Sequence, residues 1–163
     1  MSGGVDLTKI PSVSRDVVLT IMSELGFDLS AFPTAKHFTS WLSVSPNPKI
    51  TGGKVKSSHT PKRKNRVSEA LQNSANVIGN MKDNPLSEFF RRLAYKKGRA
   101  HAITATARKL GVIIYNMLTK KQQYMTQENE QYKEQIRLQR IKRMQKQIDK
   151  LGISQKELNL ATD

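Results

Sequence analysis

The chain contains no cysteine, one tryptophan and three histidines in 163 residues. Without cysteine there are no disulfides and no thiolate-ligated zinc, which fits a reducing compartment. His37, His59 and His101 stand far apart without ligand-like neighbours, so no metal site is expected of them. No apolar run reaches the ~18 residues that a membrane span requires. The opening "MSGGVDLTKIPSVSRD" lacks the basic-then-apolar order of a signal peptide. A soluble chain of the cytosol or nucleoid, without a membrane partner, is the expectation.

Acidic residues are also scarce, 13 against 28 lysines and arginines. A metal-dependent nuclease needs several carboxylates converging on two cations. Asp6, Asp16, Glu24, Asp28, Glu69, Asp83 and Glu88 show no such arrangement. No nucleophile-elbow pattern supports a Ser-His-Asp hydrolase. "TGGK" at 51–54 lacks the first glycine of a phosphate-binding P-loop, and Val55 follows its lysine.

What is present is positive charge, +15 overall. Such a field attracts polyanions, nucleic acid foremost and an anionic membrane surface as the competitor. The charge is uneven: residues 1–30 sum to −2, residues 31–66 to +8, and the remaining 97 to +9. Within the second stretch Lys49, Lys54, Lys56, Lys62, Arg63, Lys64 and Arg66 have no acidic residue among them. Together with the Gly52-Gly53 backbone and the Ser57 and Ser58 hydroxyls they form the candidate nucleic-acid contact. Neutralising phosphates in this way releases counterions and makes binding salt-dependent.

Hydrophobic periodicity predicts an all-α domain over 1–125 and a charged helical extension over 126–163. Val17, Val18, Ile21, Met22 and Leu25 give a helix over about 14–25, preceded by a turn at Pro11–Ser14 that resembles a helix-hairpin-helix segment. Thr34 caps a second helix with Phe38, Trp41 and Leu42 inward. Prolines and glycines make residues 45–63 an irregular basic loop, and no useful strand alternation is visible. Helices resume near Lys64, after Asn84-Pro85, and through the alanine- and threonine-rich segment ending near Lys120, where small residues imply tight packing. In the extension, Ile141, Met144, Ile148 and Leu151 follow a coiled-coil step.

In order, the blocks "IPSVS", "SELG", "FPTAKHFTSWLSVSP", "KITGGKVKSS", "KNRVSEAL", "NPLSEFFRRL" and "KGRAHAITATARKLGVIIYNML" are collinear with one known family. They resemble the C-terminal domain of bacterial insertion-sequence-110 family transposases, the serine-dependent family with a RuvC-like domain. The resemblance runs over about residues 5–125, with the tail resembling an extension found in some members. It implies a two-part enzyme, whose separate N-terminal half supplies carboxylates for Mg2+ and whose C-terminal half supplies a serine that attacks DNA. No cofactor is then expected in this chain itself. The chain begins about where the C-terminal domain begins, so a truncated or split protein is expected. DNA, a guide RNA, the N-terminal half and further copies of the chain are the implied partners.

Three departures stand out. The nucleophilic serine of the family's Ser-Gly-Gly-Lys stretch matches Thr51, whose extra methyl crowds an in-line attack. Ser12 and Ser14 replace turn glycines, and Ser43 replaces the glycine of a "SWLGL" motif. Three readings stay open: the strand-transfer half of a transposase, a remnant that only binds DNA or RNA, and a structural protein that oligomerises through its last helix.

Overall fold

In the computed structural model, residues 4–26, 28–61, 65–82, 84–124 and 130–151 are described. The chain separates into two compact units, Met1–Met125 and Thr126–Asp163. The first contains a 3-10 turn (Leu7–Lys9), α1 (Arg15–Leu25), α2 (Ala35–Trp41), β1 (Lys49–Thr51), β2 (Lys54–Ser57), α3 (Arg66–Asn80), α4 (Pro85–Lys97) and α5 (Arg99–Lys120); the second contains α6 (Glu130–Leu151). The mainly helical expectation holds.

Local chemistry explains the helix boundaries. Ser14, Thr34, Asn65 and Asn84 each stand in extended backbone and accept an amide hydrogen bond from the first turn that follows. An N-cap of this kind satisfies a donor that has no partner within the helix. Pro85 occupies the first turn of α4, where its missing N–H costs nothing.

The core forms around α5, which packs against α2, α3 and α4, while α1 packs on α3. Leu110 and Ile114 of α5 are fully buried with Phe38 and Leu42 of α2 and Leu71 and Ile78 of α3. The tight packing expected of α5 occurs at Gly111, where a Cβ would lie 3.0 Å from Leu42 Cδ1 and 3.3 Å from Thr39 Cγ2. A second close approach joins α3 to α4: a Cβ on Gly79 would lie 2.5 Å from Phe90 Cε1. Thr106, fully buried on α5, has a hydroxyl with no hydrogen-bond partner among the described residues.

Trp41 departs from its expected place in the core. It is 36% exposed and joins an aromatic cluster, 5.6 Å from Phe32 and stacked at 6.3 Å on Phe38. Tyr115 of α5 completes the cluster, 6.0 Å from Phe38, and donates its hydroxyl to the Phe32 carbonyl at 2.8 Å. The indole thus fastens the segment before α2 from outside, leaving the central position to Phe38.

The three serines that stand in place of glycines differ physically. Ser14 has φ −76° and caps α1, a task serine performs at least as well as glycine. Ser12 and Ser43 have φ +65° and +57°, in the left-handed region where a Cβ is unfavourable. The first arm of the hairpin-like segment is only the three-residue 3-10 turn, held by Asp6 accepting from the Thr8 amide and hydroxyl. In α6, Ile141 and Met144 are exposed and Ile148 is half-buried; the Leu151 side chain lies outside the described residues.

Candidate nucleic-acid interface

The basic loop differs from the irregular form expected of it, because its centre is an antiparallel hairpin. Lys49 pairs with Ser57, Ile50 with Val55, and Thr51 with Lys54, with an irregularity between the first two pairs that leaves Lys56 unmatched. Gly52 and Gly53 form the two-residue turn with φ +58° and +71°. Two successive positive φ values match the twist of a tight hairpin, and only glycine takes both cheaply. The strands are three and four residues long, too short to register as alternation.

The base of this arm is anchored and its body is not. Val44 and Ser45 are buried, and the Ser45 hydroxyl donates to Thr39 Oγ1 at 2.9 Å. The Val44 amide bonds the Thr39 carbonyl at 3.2 Å, and the Asn47 amide bonds the His59 carbonyl at 3.1 Å. Between these fastenings every residue from Pro46 to Lys56 is exposed.

Side chains alternate across a strand pair, so Thr51, Lys54, Lys49 and Ser57 share one face and Ile50 and Val55 the other. Thr51 is the last residue before the turn, directly opposite Lys54. Directly paired residues have Cβ atoms about 5 Å apart, so a phosphate beside the Thr51 hydroxyl is within reach of the Lys54 ammonium. Towards the base, Asn47, Lys49, Ser57, His59, Thr60 and Pro61 line an open recess of about 240 Å³. Ser57 and Ser58 are therefore at the base, away from the turn that holds Thr51. Among the described residues no carboxylate or imidazole is hydrogen-bonded to Thr51.

The remaining predicted contacts fall elsewhere. Arg66 opens α3, exposed, with Nη1 3.8 Å from Glu24 Oε1 of α1. Lys62, Arg63 and Lys64 lie outside the described residues. No three of His, Asp and Glu converge among the described residues. No helix of the described residues is long and apolar enough to cross a membrane.

The family model described as Transposase IS116/IS110/IS902 family matches residues 6–91, more than half of the chain. The chain belongs to that family. No curated protein and no solved structure matches it. The matched span runs from the 3-10 turn through the hairpin into α4, so the Thr51 turn is within the transposase region. Membership of this transposase family gives the chain a role in transposition and recombination, with DNA as a partner.

A second group of cations was given no contact role in the sequence reading, which placed only Arg91, Arg92, Lys96 and Lys97 on the outward side of a helix. Residues 84–124 hold nine lysines and arginines and one carboxylate, Glu88. Summing charge over the last 97 residues hid this segment, because acidic residues elsewhere diluted it. A shorter window would have revealed it.

Proposed function

We propose that this chain engages DNA through the 49–57 hairpin, as the DNA-binding and strand-transfer half of an insertion-sequence transposase. The observation that carries the reading is the hairpin itself: Thr51 at the lip of an exposed two-glycine turn, on one face with Lys49 and Lys54. Lysines at the hairpin neutralise backbone phosphates, while the glycines keep the turn thin enough for the backbone to approach the strand.

In the chemical step Thr51 Oγ1 forms a bond to phosphorus, and the bond from phosphorus to one bridging deoxyribose oxygen breaks. The threonine proton passes to solvent, and the departing strand end takes up a proton to leave as a hydroxyl. Exposure at the turn leaves the line of attack open, which offsets part of the crowding from the threonine methyl. A separate carboxylate-bearing half, a guide RNA and a second copy of the chain complete the working assembly in this reading.

The test combines the full chain with that half, guide RNA and donor DNA. A covalent DNA–protein adduct is expected, lost in Thr51→Ala and retained or increased in Thr51→Ser. An adduct that survives Thr51→Ala would overturn the assignment. The replacement of serine by threonine favours a second reading, a module that binds DNA or RNA without cleaving it. Salt-dependent binding with no adduct in either wild type or Thr51→Ser would select that reading.

A further inference from the structure

Arg92 of α4 and Lys109 of α5 converge on a single aromatic ring. The Arg92 guanidinium carbon lies 5.8 Å from the Phe89 ring centroid, and Lys109 Nζ lies 4.6 Å from it. Like charges brought together on a folded surface repel, and the usual remedy is a carboxylate between them. None is present. Glu88, one turn before Arg92 on α4, forms no ion pair with it, and no described carboxylate or hydrogen-bond acceptor is paired with either cation.

Neighbouring arginines show the contrast. Arg99 donates to Asn76 Oδ1 at 2.7 Å and to Asn80 Oδ1 at 3.2 Å, and lies over Phe90. Arg91 donates to the Met81 carbonyl. Both have structural partners between α3, α4 and α5. Among the described residues Arg92 and Lys109 have only the ring, which orients them without neutralising them. Burial beside that ring, and then the nearby Arg92, hold Lys109 below the ordinary lysine value, as expected of an ammonium lacking a counter-charge. Lys96, four residues beyond Arg92 on the same side of α4, is exposed and extends the cationic surface.

We infer that the Arg92–Lys109 pair on Phe89 is a second docking site for the phosphate backbone of duplex DNA, separate from the hairpin. A phosphodiester supplies the missing negative charge. The ring has already fixed both side chains, so less rotamer freedom is lost on binding than for an extended surface lysine. The inference rests on the reading that the chain binds DNA, but it concerns residues on α4 and α5 that the hairpin reading does not use.

Binding of the full chain to a short DNA duplex, measured across a salt series, separates the two. The double variant R92Q/K109Q should lose about ten-fold in affinity, and its plot of log affinity against log salt should flatten by about 1.8, the release of two counterions. Lys109→Arg, which keeps the charge, should bind like wild type. A thermal melt of R92Q/K109Q that matches wild type excludes misfolding. If it melts early, charge reversal at the exposed Lys96, K96E, replaces it and should weaken binding in the same direction. The hairpin variant K49Q/K54Q/K56Q tests the other site. If it weakens binding while R92Q/K109Q and K96E do not, the second site is overturned and the hairpin reading stands. If wild type shows no salt-dependent binding, both fail. Loss confined to duplex RNA would also overturn the assignment to DNA.

Discussion

The hairpin and the α4–α5 face display the same kind of charge in opposite mechanical settings. Lys49, Lys54 and Lys56 stand on a ribbon exposed along its length, fastened only at its base. Arg92 and Lys109 rest on a ring held between packed helices. In the proposed readings, lysines on the ribbon give up rotamer freedom on meeting a phosphate, whereas the ring-bound pair has already given it up during folding. Charge alone therefore does not rank these surfaces. On those readings the ribbon is suited to reach, and the helical face to register.

The comparison can be broken most forcefully from below the helical face. Phe90→Ala, which empties a buried ring site between α3 and α4, should destabilise the chain by about 3–5 kcal/mol in urea unfolding. A loss below ~1 kcal/mol would mean that α4 is not held by this packing. Gly79→Ala approaches the same contact from the other side and should cost about 1–3 kcal/mol through overpacking. An unchanged melting temperature would show that the Phe90 ring can retreat freely.

Two substitutions should sharpen the comparison by stabilising the helical unit. Thr106→Val removes a buried hydroxyl that lacks a partner and should add about 1 kcal/mol, read as a shift in denaturant midpoint. Ser43→Gly should add about 0.5–1 kcal/mol by relieving left-handed backbone, with Ser12→Gly acting in the same sense. A decrease for Ser43→Gly would imply that its side chain does more than tolerate the turn. The smallest effect belongs to the hairpin: changing both Gly52 and Gly53 to alanine should move global stability by less than ~0.5 kcal/mol. The cross-strand amides of the hairpin should nonetheless exchange faster with deuterium. A large global loss would contradict the mechanical independence of the ribbon.

Legibility followed the range of the interactions. Helix α1 was readable because its apolar repeat, its serine cap and its terminal glycine lie within a dozen adjacent residues, and the structure ends it at Leu25 as expected. The Thr34 cap was readable for the same reason. The hairpin was missed because it is too short for periodicity, although a Gly-Gly pair between Ile50 and Val55 is itself a turn signal. Trp41 was misplaced because helical spacing assigns it a side of α2 but says nothing of which ring takes the centre. The Phe89 site could not be read from local pattern, since Arg92 and Lys109 belong to different helices and meet only after α4 folds back along α5. Thr51 was legible as a position, through the family blocks. Its place opposite Lys54 emerged only from strand register.

The Asn47–His59 bond at the root of the ribbon has an evolutionary consequence. Because the chain leaves and re-enters the helical unit at adjacent points, the segment between them is exchangeable: a longer, shorter or differently charged ribbon can be inherited without rebuilding the core.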